Sequence, residues 1–308
     1  MDASLRTTIL MGMVFAIAQF GALAMIWAFL GKDMQVFENP NDPLIPIYYI
    51  VAVLLFTFAI LYIIKRRREN IVRIVFLGAV AYTIFFVFLI ILSKFVRDEA
   101  SFAISLAATG IFTYYLIKKP EWYVVDAAGI VMAMGVIGIF GISLGILPTM
   151  ILLVALAIYD AISVYGTKHM VALADGVTKM RLPILLVIPK KRGYSYLNQK
   201  PLMQQLDEGE EREAMFMGLG DIIIPGVLIA SAFNFLPEKM IGDVSGGLLV
   251  AMGALLGSLI GFAVLMTFVL KGRPQAGLPL LNGGAIIGYG IAYLLIFENL
   301  SFGISMPW

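Results

Sequence analysis

Apolar residues in this chain gather into runs of about 20, the length a helix needs to cross a bilayer core of about 30 Å. Charged or turn-forming residues interrupt each run. Nine such runs can be read, at approximately 7–31, 45–64, 71–93, 101–117, 122–140, 144–166, 213–235, 244–270 and 276–297. The pattern predicts an all-α polytopic membrane protein with nine transmembrane helices. The first run follows Arg6 and continues to Leu30, longer than the roughly 7–15 residues of a secretory signal core, so it is read as a span. Residues 1–166 then hold spans one to six, 167–212 form a loop, and 213–308 hold spans seven to nine, all within one integrated membrane domain.

Composition agrees with this reading. The chain has 308 residues, of which 61% are hydrophobic and 14% charged, with a mean hydropathy of +0.94. A soluble domain carries about a quarter charged residues, so these are too few to solvate a globular surface. The positions of the cations set the orientation. If the N-terminus is inside, 18 of the 22 Lys and Arg fall in inside segments and 4, namely Lys32, Lys94, Arg97 and Lys239, fall outside. The expectation is a cytoplasmic N-terminus, an extracytoplasmic C-terminus and an odd number of spans. Arg66, Arg67 and Arg68 read as topology anchors at an anionic lipid surface. A net charge of +2 argues against nucleic acid as a partner. The absence of cysteine excludes disulfides, iron–sulfur clusters and a cysteine nucleophile.

Few acids lie inside the spans: Asp126, Asp160 and Asp221. Intramembrane carboxylates are costly and point to function. Asp126 is five residues from Glu121, at the inner edge of span five, and reads as a carboxylate near a helix end, solvated or paired with Lys. Asp160 and Asp221 are deeper. Asp160 precedes Lys168 by eight residues, or roughly 12 Å of helix, and Asp221 follows Arg212 by nine, or roughly 13 Å. The two spans run in opposite directions, so both carboxyls reach similar depth below the same face. No Lys, Arg or His inside these spans can pair with them. Two such acids hold protons or share one, which is the chemistry of an aspartic protease. Gly218, Leu219 and Gly220 lead into Asp221, and the two glycines would let another backbone approach it. Pro225 cannot donate to the carbonyl of Asp221 four residues earlier.

These residues resemble a known family. "IYD" at 158–160 and "GLGD" at 218–221 are similar to the tyrosine–aspartate and Gly-x-Gly-Asp motifs of presenilin-type intramembrane aspartyl proteases. The layout of spans, the loop between spans six and seven, and "AGLPLL" at the start of span nine are similar as well, over most of the chain. The chain looks most like a prokaryotic presenilin homologue. The resemblance implies Asp160 and Asp221 as the catalytic pair, with Tyr159, Gly218, Leu219 and Gly220 in support. It implies an integral, multi-pass protein of the cell membrane that cleaves single-span transmembrane substrates, with room for an oligomer and no cofactor. The family's third motif is Pro-Ala-Leu; here Ala276, Gly277 and Leu278 stand there, followed by Pro279. The resemblance assigns substrate positioning to Gly277, Leu278 and Pro279. Signal peptide peptidases share the motifs in the opposite orientation, and the charge distribution favours the presenilin sense, which implies substrates with their N-termini outside.

"ILLVI" at 184–188, between Pro183 and Pro189, is too short to span and suits either a short edge strand or a segment lying on the membrane surface. An unwound substrate could add to it as a strand near Leu186. "GISLG" at 141–145 imitates a serine-hydrolase elbow, but the single histidine, His169, lies about 39 Å from Ser143 across span six. One histidine and no cysteine also exclude a His-Glu-x-x-His zinc site, and no metal is expected. Gly253, Gly257 and Gly261 in span eight make a close-packing face, for a helix neighbour or a dimer seam. The alternative function is a proton- or cation-coupled transporter or channel using the same Asp pair. The odd span count and the unrepeated motifs weigh against it. A prepilin-type peptidase shares Gly-x-Gly-Asp but has fewer spans and lacks the late Leu-Pro motif.

Overall fold

The computed structural model describes residues 3–29, 34–66, 69–167, 183–191, 193–198, 213–271 and 275–304. Nine α-helices lie among them: α1 (Ala3–Phe29), α2 (Ile45–Lys65), α3 (Glu69–Leu92), α4 (Asp98–Lys118), α5 (Trp122–Ser143), α6 (Ile146–Ile162), α7 (Leu219–Phe235), α8 (Gly246–Val269) and α9 (Leu278–Phe297). Among the described residues seven helices are long and apolar enough to cross a membrane, α6 counted together with the turn that extends it. The apolar part of α2, Ile45–Ile60, and all of α7 are shorter. The peripheral helices turn large apolar side chains outward, among them Leu55 and Phe58 of α2 and Phe102 and Leu106 of α4. On a membrane protein this is the expected pattern, because lipid solvates those side chains.

Helix ends follow local chemistry. Asp98 and Glu99 open α4 and Lys118 closes it, complementing the helix dipole at both ends. The Ser245 hydroxyl accepts the Leu248 N–H at 3.2 Å and caps α8. Pro279 sits in the first turn of α9, where its missing N–H has no cost. α5 is the central helix, packed on α1, α3, α4 and α7.

Two short strands, β1 (Leu185–Pro189) and β2 (Ala214–Gly218), pair antiparallel with Leu186 opposite Met217. Both faces of this hairpin are covered. Leu186, Ile188, Met215 and Met217 join the main core, while Val187 and Ala214 join a second cluster with Val80, Ile84 and Val125. β2 corrects the expectation of a helical span over 213–235. Its five residues are extended, and the helix starts only at Leu219. Gly218 and Gly220 are poor helix formers, and β1 offers a backbone partner that a lone apolar run does not reveal. The depth reckoned for Asp221 at a helical rise therefore fails over 214–218, where each residue advances about 3.3 Å. A second two-stranded ribbon, β3 (Met240–Ile241) with β4 (Val244–Ser245), lies before α8.

The glycine row of α8 packs within the chain. A Cβ on Gly257 would lie 2.1 Å from the Gly284 carbonyl oxygen, and one on Gly261 would lie 2.2 Å from that of Leu280. α8 and α9 thus meet backbone to backbone, so this face is an internal seam. Gly257→Leu should destabilise the detergent-solubilised protein by about 1–3 kcal/mol or more through overpacking. Gly78→Ala, where nothing lies within 4 Å, should leave the thermal midpoint unchanged or raised. Equal midpoints for the two variants would contradict this seam.

Candidate active site

α6 carries Asp160 near its end and then widens into a π turn, Ser163–Thr167. Asp160 is 3% exposed, facing the bundle. Its Oδ2 accepts the Leu278 N–H at 3.1 Å, with the Gly277 N–H beside it. These are amides at the start of α9, which lack intrahelical acceptors and suit an anion. Asp221 lies in the first turn of α7, partly accessible, with Gly218 close to its carboxyl. A Cβ on Gly277 would lie 3.2 Å from Cγ, Oδ1 and Oδ2 of Asp221, and one on Gly218 would lie 3.3 Å from Oδ2. One dipeptide, Gly277–Leu278, therefore touches both carboxyls, and the two are close enough to repel one another.

The supporting residues divide. Leu219 is buried, and its N–H donates to the Ile184 carbonyl at 2.8 Å, closing the hairpin just before Asp221. Pro279 follows in the first turn of α9. The side-chain position of Gly218 meets the carboxyl of Asp221, while its backbone is approached by Leu185 of β1; at Gly220 nothing among the described residues lies within 4 Å of a Cβ, so the expected close backbone approach is found at Gly218 alone. Tyr159 is 43% exposed and shares the outer face of α6 with Ile158 and Ile162. One residue is about 100° of helix, so adjacency in sequence to Asp160 puts Tyr159 on another face. Leu186 is buried, its side chain packed on Gly129, and its backbone is paired with Met217 rather than left free.

Several residues that the sequence reading passed over hold this arrangement. The Tyr165 hydroxyl, on the π turn, bonds the Gln275 side chain and accepts the Ala276 N–H at 3.4 Å, which fastens the segment entering α9. Asn282 Nδ2 donates to the Leu153 carbonyl at 2.9 Å and ties α9 to α6. Gln19 Nε2 of α1 donates to the Ile222 carbonyl at 2.9 Å, beside Asp221. Pro225 lies inside α7 and leaves the Asp221 carbonyl without its helical donor. A lone amide side chain in an apolar span was the available signal for Gln19 and Asn282. A π turn has no comparable signature.

Asp126 corrects an expectation. It is 6% exposed and, among the described residues, is not paired with Lys; its Oδ1 accepts the Val187 N–H of β1 at 2.8 Å. At the start of α5, Glu121 accepts the Ser195 hydroxyl at 2.8 Å and the Tyr196 N–H at 3.0 Å. Nearby, burial together with Tyr196, Glu213, Glu121 and Asp126 pushes the Tyr194 hydroxyl above the usual phenol range. The Ser143 decoy is structural: its hydroxyl donates to the Ile139 carbonyl at 2.6 Å and accepts the Val36 N–H at 2.9 Å. His169, Lys168, Arg212 and the rest of 199–212 in the polar half of the loop lie outside the described residues. Among the described residues no group of three or more His, Asp or Glu is arranged to hold a metal ion.

Two acidic side chains brought together inside an apolar helical bundle define the class of intramembrane aspartyl proteases. A family model described as "Signal-peptide peptidase, presenilin aspartyl protease" matches residues 12–297, and the chain belongs to that family. Two solved structures of a presenilin family intramembrane aspartate protease, in P2 and C222 space groups, are similar to it. The first is 32% identical with a TM-score of 0.65, covering 92% of this chain and 96% of that one. The second is 33% identical with a TM-score of 0.68, covering 94% and 99%. A probable intramembrane protease of Saccharomyces cerevisiae is 27% identical over 135 residues, which is 44% of this chain but only 20% of that relative's length. These matches are to proteases and lend no support to the transporter alternative. The protein is accordingly an integral, multi-pass membrane protein of this family.

The contact of Gly277 with Asp221 is testable. Gly277→Val should lower the rate of peptide cleavage about tenfold or more by displacing the carboxyl. Gly277→Ala, whose Cβ would lie at 3.2 Å, should fall between Val and the unaltered protein. Initial rates in detergent check this, and a fully active Val variant would contradict the packing.

Proposed function

We propose that this protein is an intramembrane aspartic endopeptidase of the Gly-x-Gly-Asp type, with Asp160 and Asp221 as its catalytic pair. The observation that carries the reading is the single dipeptide, Gly277–Leu278, lying against both carboxyls. The pair acts with one proton between its two groups, because like charges this close do not both ionise. The ionised carboxylate takes a proton from water as the water oxygen bonds to the scissile carbonyl carbon. The other carboxyl gives its proton to the carbonyl oxygen, forming a gem-diol. A proton then passes to the amide nitrogen, the C–N bond breaks, and an amine and a carboxylic acid leave. The roles belong to the pair and alternate within one turnover.

The substrate is a single-span membrane protein entering from lipid. Its helix unwinds, since a helical amide is shielded by its own turns. An extended segment gains backbone partners by adding to the hairpin. The pattern of hydrogen bonds along β1 favours β2 as the receiving strand: the outward Val187 N–H is taken by Asp126, and β2 ends three residues before Asp221. Leu278 and Pro279 shape the opposite wall. The orientation supported by the cations is N-terminus cytoplasmic with nine crossings, α2 and α7 included.

The deciding experiment incubates detergent-purified protein with a single-span substrate. Asp160→Ala and Asp221→Ala should each reduce cleavage to background, since one carboxyl cannot make both proton transfers; cleavage surviving either change defeats the assignment. Leu186→Pro should reduce turnover about tenfold while the helical bundle stays folded, because it removes a ladder hydrogen bond to Met217. Normal turnover in that variant would remove the hairpin from the account.

A further inference from the structure

Asp126 is a buried carboxylate that the proposed chemistry does not use. In an antiparallel pair, alternate residues turn their backbone groups toward the partner and away from it. The inward groups of β1 and its flanks belong to even-numbered positions: the Ile184 carbonyl takes the Leu219 N–H, and the Lys190 N–H goes to the Glu213 carbonyl, each at 2.8 Å. Val187 therefore points its N–H outward, from a fully buried position, and Asp126 Oδ1 is the acceptor at 2.8 Å. One turn along α5, Gly129 admits the same hairpin: a Cβ there would lie 3.1 Å from Leu186 Cδ2 and 3.5 Å from Leu219 Cδ1. A polar and an apolar contact on the same helix thus grip β1 and the first residue of α7.

We infer that Asp126 is a positioning residue for the aspartyl pair, anchoring β1 to α5 so that β2, Gly218 and Asp221 are held in place. The route is short. Asp126 fixes Val187, the ladder fixes Met217 and Leu219, and Asp221 follows two residues later. The same bond closes the outer edge of β1 at its midpoint, so an added peptide strand is directed to β2, the edge that runs to Asp221. This role rests on the reading of Asp160 and Asp221 as the catalytic pair.

The test compares kcat and KM on a single-span substrate for Asp126→Ala, Asp126→Asn, Val187→Pro and the Asp126→Ala/Val187→Pro double variant. Asp126→Ala should lower kcat about tenfold with KM within about threefold. Asp126→Asn, whose amide oxygen still accepts, should keep kcat within about threefold. Val187→Pro lacks the N–H and should behave like Asp126→Ala, with the double variant no worse than the poorer single. Full activity of Asp126→Ala, equal losses for Ala and Asn, or multiplied losses in the double variant would each overturn the inference. Amide exchange at Val187 in the unaltered protein keeps the test independent of how the variants fold. Exchange as slow as the β1–β2 ladder is expected, and exchange as fast as a free edge would contradict it. Asp221→Ala in the same series separates the two claims. Cleavage surviving that change removes the catalytic reading. An inactive Asp221→Ala beside a fully active Asp126→Ala removes only the positioning role.

Discussion

The start of α9 lies against two carboxyl groups at once, and this contact is what the rest of the structure serves. The Leu278 N–H is given to Asp160, while the absent side chain of Gly277 leaves room for Asp221. Neither interaction is strong alone. A hydrogen bond to a charged group contributes about 1.5–3 kcal/mol, and a glycine contributes only space. Together they define where two carboxyl groups can share one charge inside an apolar bundle, with amide donors in place of water.

Each element that meets this point is held by a different kind of contact. α9 is fixed to α8 through glycine rows that let the two backbones touch, and to α6 through Asn282. The segment before α9 is held by Tyr165 on the π turn that follows Asp160. α7 is entered from the β1–β2 hairpin and receives Gln19 from α1 at Ile222. Much of this positioning uses single polar side chains on backbone groups. In surroundings without water such bonds have few competitors, so a few of them suffice to set register.

Much of the architecture was legible in the sequence because lipid imposes a simple rule: each crossing needs a long apolar run. Asp160 and Asp221 were legible for the same reason, as acids where acids are costly. Contacts that depend on distant partners were not. "AMFMG" at 214–218 reads as the start of a span, and becomes a strand only because "LLVIP" at 185–189 pairs with it. Asp126 reads as a helix-end carboxylate, and its partner lies 61 residues away. Tyr159 adjoins Asp160 in sequence yet faces outward, whereas Tyr165, five residues on, reaches the segment before α9. The π turn adds a residue to the helical period, so a face assigned at 3.6 residues per turn is wrong beyond it.

Under the proposed function, Asp160 and Asp221 act on one substrate atom. A peptide carrying a hydroxyl-bearing tetrahedral carbon in place of the scissile carbonyl imitates the gem-diol and engages both carboxyls together. Its binding to the detergent-purified protein, measured by calorimetry against Asp160→Asn and Asp221→Asn, tests the claim most directly. Each substitution should weaken binding about a hundredfold, and the double substitution should be little worse than either alone. Undiminished binding in either single variant would show that the two carboxyls do not meet at a common atom.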